Sequence, residues 1–401
     1  MAPPSEEPAL PAPILAEVTE LRDSNVKHFR LEDGTYLAAQ YDQPVHYEIG
    51  GEWKDIDNTL ALQPAQDDED VEGFQNAQNP VRIKLAKHAD SKKLVKIKQG
   101  QHQISWAYAA ADNHNGARAL EVEPADLSED AVVDPKAVLD SLNSGLSYDD
   151  IEPGIDLQYI LSSTTLKENI VVKQKRDRYE FALNLTVKKL TPALQDDGSI
   201  LFYNDGGDAI FSIPAPFMTD ADGAYSEAVS YTLGQGEKEK EYTLTITADP
   251  EWINGKGRAF PVTIDPIIST PQVNTPIHTS NVRSDDPSFC GEGCNVRIGK
   301  YDGGIYRLYL HMDLPTLPPM AMTTNAYFSM VLTNDVFEPL STASYLEFYE
   351  AGLNDNQDMN QITWNTQPAF WNSAPIIECD NIPSEGGSYE YDITKLVKKW
   401  Y

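Results

Sequence analysis

The chain has 401 residues, with 31 Lys and Arg against 62 Asp and Glu, a formal net charge of −31. Hydrophobic residues make up 41% and aromatic residues 9%, enough for packed cores, so a wholly disordered acidic chain is excluded. The negative sign argues against nucleic acid and anionic lipid as partners, because both are held by Lys and Arg. No run of about 18 apolar residues occurs, so membrane insertion is not expected.

Residues 1–18 read as a flexible tail rich in Pro, Ala and Glu. Its start, Met1-Ala2-Pro3-Pro4-Ser5-Glu6-Glu7-Pro8, has neither the basic nor the apolar region of a signal peptide. Ile14, Leu15, Val18 and Leu21 have the spacing of a short helical turn. From about residue 26 the pattern has period two. Val81, Ile83 and Leu85 alternate with Arg82, Lys84 and Ala86; Tyr179, Phe181, Leu183, Leu185 and Val187 alternate with polar or small residues. Such alternation puts one face of a strand on a core and the other in water, as in antiparallel sheets. Asp197-Gly198 and Asp222-Gly223 are among the turn signals between runs. A helix is expected near 134–145, with Asp134 as N-cap, Pro135 in its first turn, Val138, Leu139 and Leu142 on one face and Gly145 closing it.

Asp265-Pro266, Pro271 and Pro276 punctuate a polar segment without periodicity, which marks a domain boundary. The expected organisation is a large antiparallel β-sandwich over 19–268, a linker over 269–277 and a smaller jelly-roll β-sandwich over 278–401. The last residues, Leu396-Val397-Lys398-Lys399-Trp400, read as one helical turn. The fold class is all-β.

No zinc-binding His-Glu-x-x-His, nucleophile elbow or phosphate-cradling loop is present, which favours a chain that is not an enzyme. Three Cys are too few for a disulfide framework. Two glycines between Cys290 and Cys294 allow a turn tight enough for a local disulfide. A zinc site, short of four ligands, and a pair of buried thiols are the alternatives. No cofactor is required, and beside the zinc alternative a structural Ca2+ is the other metal candidate. Asp220-Ala221-Asp222-Gly223 is a partial loop site with Met218 where an aspartate is needed. Asp68-Glu69-Asp70-Val71-Glu72-Gly73 is another, with Asn79 at its last ligand position. Asp285 and Asp286 are the preferred calcium candidates, against a plain solvated acidic loop. Trp364, Asn365, Gln367 and Trp371 are the carbohydrate-binding candidates, since indole rings stack on sugars and amides bond their hydroxyls. The competing reading puts Trp364 on the sandwich core as an anchor for its loop.

Two stretches resemble known families. Asn281-Val282-Arg283-Ser284, Asn295-Val296-Arg297-Ile298-Gly299-Lys300, Ile362-Thr363-Trp364-Asn365-Thr366-Gln367-Pro368 and Tyr391-Asp392-Ile393-Thr394-Lys395-Leu396-Val397-Lys398-Lys399-Trp400 resemble the DNRLRE domain, a jelly-roll module of bacterial surface proteins. Trp53-Lys54-Asp55-Ile56-Asp57-Asn58-Thr59-Leu60, Gly154-Ile155-Asp156-Leu157-Gln158-Tyr159 and Pro261-Val262-Thr263-Ile264-Asp265-Pro266 resemble the region preceding it in wall-associated proteins of the Rhs/YD-repeat type from Gram-positive bacteria. The resemblance implies a non-catalytic, secreted or cell-surface β module. Its expected partners are cell-wall or host glycan, or downstream repeat domains of the same polypeptide.

The rival reading is a polysaccharide lyase or glycoside hydrolase on a β-sandwich. It needs a cleft that gathers His102, Trp106 and Tyr108, or His311, Arg307 and Tyr309. A third reading is a scaffold alone.

Overall fold

A computed structural model describes residues 12–66, 70–110, 115–120, 141–269, 277–288, 298–301, 303–332, 346–352, 359–370, 374–379 and 387–401. Strands dominate, and all the sheets are antiparallel. The all-β class read from period-two alternation is the observed one.

The chain forms two compact units. One contains Pro44–Ala125 and Pro135–Val273; the other contains Met1–Gln43 and Asn274–Tyr401. Residues 19–43 thus group with the C-terminal residues rather than with 44–268. The physical link is local to that second unit: His28 Nε2 lies 3.0 Å from the Thr316 carbonyl oxygen.

The first unit has two eight-stranded sheets. In the first, the spatial order is Val229–Gln235, Glu241–Ala248, Glu180–Lys188, His102–Tyr108, Val95–Gln99, Val81–Ala86, Gly73–Gln78 and Asp57–Gln63. The second is built around Asn143–Glu152, Ile155–Ser162, Thr165–Val172 and Val262–Asp265. Their inner faces share one apolar core. Trp106, Phe181, Ile83 and Ile97 come from one sheet; Tyr148, Leu157, Tyr159 and Ile170 come from the other, and all are essentially inaccessible to water. Each such side chain contributes about 1.5–3 kcal/mol by leaving water, which is why alternation decides the face. Glu180–Lys188 alternates strictly between exposed or half-buried and buried positions. The turn at Asp197-Gly198 needs its glycine, because φ there is +84°.

A buried amide network ties the sheets together. Asn58 Nδ2 donates to the carbonyls of Leu142 (2.7 Å) and Ser163 (2.8 Å). Its Oδ1 accepts from Asn76 (3.1 Å) and Asn79 (2.8 Å). Asn76 and Asn79 accept from the backbone N–H groups of Ile83 and Val81. Asn79, weighed above as a calcium ligand, is thus engaged inside the protein.

The second unit carries smaller sheets. Ile14–Glu17, Val26–Leu31 and Tyr36–Gln40 form one; Ile277–Arg283, Gly304–Met312 and Gly299–Tyr301 form another; Tyr327–Leu332 pairs with Gly387–Asp392. The final helix, Thr394–Trp400, buries Leu396 and Val397 beside Ile393.

Two local expectations change. Ile14–Glu17 is a strand followed by a 3-10 turn at Thr19–Leu21, because pairing with Val26–Leu31 overrides the helical spacing. Gly145 lies within the strand Asn143–Glu152, opposite Ile160, so it closes no helix. Residues 134–140 of the expected helix lie outside the described residues.

Candidate functional site

The candidate site is built on the loop 362–370 and the strand Gly304–Met312. Ile362 is buried against Val282 and Tyr309 and anchors the loop. A tight turn follows, in which the Thr366 N–H donates to the Thr363 carbonyl at 3.1 Å. The Thr363 N–H donates to Thr366 Oγ1 at 2.9 Å. This turn presents Gln367, whose Nε2 donates to the Trp364 carbonyl at 2.7 Å. Gln367 Oε1 then accepts from Arg307 Nη1 at 2.7 Å and from the Tyr309 hydroxyl at 3.0 Å. Burial raises the Tyr309 hydroxyl pKa, so it remains a donor at neutral pH.

The held guanidinium sits 4.8 Å from the Trp364 ring centroid and 5.6 Å from that of Phe370. Phe370 stacks on Tyr349, with centroids 4.6 Å apart and planes 23° apart. Among the described residues, no carboxylate stands at ion-pair distance from Arg307. That is notable in a chain with twice as many acids as bases. The arrangement offers aromatic faces, amide groups and unspent N–H donors on one cation.

The structure separates the remaining candidates. Trp364 is half-buried against the Val282, Tyr309 and Ile362 cluster, so it anchors its loop and also presents part of its ring. Asn365 is exposed on the same turn. Trp371, Cys290 and Cys294 lie outside the described residues, and with them the disulfide. Asp285 takes a fork from Arg283, with contacts of 3.0 and 2.6 Å, which holds its carboxyl below the usual range. Asp286 accepts from the Ser288 hydroxyl at 2.9 Å. Asp220 is paired with Arg258 Nη1 at 2.8 Å and accepts from the N–H groups of Ala224 and Ala259.

The groups named for a polysaccharide enzyme fall in different places. Trp106 and Tyr108 are buried in the first unit's core, and the Tyr108 hydroxyl donates to Glu152 at 2.7 Å. His311 stands opposite His278 in the register, with ring centroids 5.9 Å apart. A groove of about 500 Å³ opens beside Leu60, Phe74, Leu120 and Leu146, and its lining holds no titratable side chain. Sequence reasoning placed Arg307 and Tyr309 on one strand face but did not join them to Gln367, nor Phe370 to Tyr349. The shared signal was the cluster of aromatic residues between 364 and 371.

No family model matches the chain. It is 28% identical over 402 residues to the tRNA nuclease WapA of Bacillus subtilis (strain 168), an alignment covering 96% of this chain and 16% of that protein. It is 27% identical, with the same coverage, to the tRNA(Glu)-specific nuclease WapA of Bacillus subtilis subsp. natto (strain BEST195). A wall-associated protein of Geobacillus stearothermophilus is 25% identical over 209 residues, covering 51% of this chain and 75% of that one. The chain is homologous to wall-associated proteins. It spans 16% of the length of the WapA relatives. The expectation that it belongs with non-enzymes is corrected: these relatives are named as nucleases.

Proposed function

We propose that this chain is a cell-surface recognition region of a WapA-like protein, holding wall saccharide at the platform of Arg307, Trp364, Gln367 and Phe370. The observation that carries the reading is the alignment of 96% of the chain with WapA, together with the wall-associated relative. The platform supports it chemically. A sugar presents C–H faces to aromatic rings and hydroxyls to amides. The unpaired Arg307 adds a preference for a saccharide bearing a carboxylate, which the guanidinium fork matches in shape. The test is co-sedimentation of the purified chain with isolated Gram-positive cell walls. Wild type is expected in the pellet, and Trp364→Ala and Arg307→Ala in the supernatant. Wild type left in solution, or variants that sediment equally, would defeat the platform reading.

A second reading follows from the activity named for the WapA relatives: tRNA cleavage. Incubating the chain with total tRNA and resolving the products on a denaturing gel tests it. Cleavage by the chain itself would place the activity within these residues; intact tRNA would leave it to other parts of the relatives' length.

A further inference from the structure

The net charge of −31 conceals a segregated basic face. Residues 81–99 contain seven cations and one acid. Strand register decides where they go. Arg82 stands opposite Lys98, Lys98 opposite Gln103, and Gln103 opposite Lys188. These four residues form a row across four adjacent strands of the first sheet, on the face away from the core. At about 4.8 Å per strand, the row is roughly 14 Å long. Arg82, Lys98 and Lys188 are exposed. Among the described residues, none of the three has a carboxylate at ion-pair distance.

The neighbouring row is the internal control. There Lys84 stands opposite Lys96. Asp70 sits between them, 2.8 Å from Lys84 Nζ and 3.2 Å from Lys96 Nζ, with its side chain only 3% exposed. Like charges directly opposite on a sheet destabilise it, and here an acid relieves the repulsion. The Arg82 and Lys98 pair has no such relief. In a chain with 62 acids, an opposed cation pair left unneutralised is a surface awaiting an anion.

We infer that this row binds a phosphodiester polyanion of the cell wall, a polyol-phosphate chain lying across the strands. A nucleic acid fits less well, because neither row carries an aromatic side chain on which bases would stack. This inference stands on the first unit and is independent of the Trp364 platform.

The probe is fluorescently labelled poly(glycerol phosphate), titrated with the full chain by anisotropy from 50 to 300 mM NaCl. For three cations on a flexible strand, log K should fall with log salt with a slope of about −2. Lys98→Glu should weaken binding about tenfold at 50 mM NaCl and reduce the slope to about −0.7. It should leave the melting temperature unchanged or raised, since Arg82 gains an opposite charge. A merely structural lysine would instead lose binding and stability together. Lys92→Glu, an exposed cation off the row, should bind within about twofold of wild type. Should Lys98→Glu fail to fold, Arg82→Gln with Lys188→Gln gives the same reading. Absence of binding by wild type at 50 mM NaCl would overturn the inference. So would equal loss in Lys92→Glu, or displacement of the probe by tRNA at lower phosphate concentration, which would make the row a nucleic-acid surface.

Discussion

Glu168 stands directly opposite Tyr159 in the register of two central strands, and both are sealed in the core, at 2% and 0% exposure. Burial raises the Glu168 pKa to about 8, against a smaller downward pull from the polar groups of Tyr159 and Trp106. A carboxyl that is neutral when folded and ionised when unfolded ties stability to pH.

The sign is fixed by the two proton counts. The folded value of about 8 lies above the ordinary 4.5, so the contribution is full below 4.5 and is lost as pH rises through 8. Stability should fall by about 1.4 kcal/mol per pH unit within that window. Glu168→Gln should flatten the dependence and be the more stable protein at pH 8. Urea unfolding at pH 5, 6, 7 and 8 measures both; parallel curves for the two proteins would refute the assignment.

Asn58 bridges both sheets through the Leu142 and Ser163 carbonyls and the amides of Asn76 and Asn79. Asn58→Ala strands several buried polar groups at once. The expected loss is about 3 kcal/mol, read as a lower urea midpoint with an unchanged slope. A loss under about 0.5 kcal/mol would mean that water replaces the amide.

The pair of Asp220 and Arg258 is nearly buried, with side chains 3% and 16% exposed, and Arg258 also lies 3.4 Å above the Trp252 ring. Burial alone would raise the Asp220 pKa, but Arg258 and the N–H groups of Ala224 and Ala259 outweigh it and hold the pKa below 3.8. Its contribution is present above pH 3.8 and lost as pH falls through the lowered value. Asp220→Ala leaves a cation without its partner and should cost about 3 kcal/mol at pH 7. The difference from wild type should shrink as pH falls below 3.8 through the lowered value, where acid unfolding monitored by tryptophan fluorescence shows it.

Arg307 and Trp364 share one contact, so their effects on saccharide binding should not add. Trp364→Phe should weaken binding of wall fragments about two- to fivefold, in keeping with roughly 0.5–1 kcal/mol for an exposed cation over a ring. Arg307→Lys should weaken carboxylate-bearing fragments more than neutral ones, because an ammonium lacks the planar fork. Calorimetry with amidated and free-acid fragments separates the two cases; equal losses would remove the carboxylate preference.

Local pattern determined much of this protein. Alternation over Tyr179–Val187 named the buried face, because a period of two is a property of the strand itself. Asp197-Gly198 marked a turn, and Leu396 and Val397 marked the closing helix, for equally local reasons. Neighbours were not legible. Arg307 meets Gln367 across 60 positions, and Asn58 meets Ser163 across 105. The opposition of Arg82 to Lys98 and of Glu168 to Tyr159 exists only once register is set. Composition gave a single number for charge, whereas strand register set Arg82, Lys98 and Lys188 in one row. Alternation tells each side chain which face it takes, but only long-range strand pairing tells it what it faces.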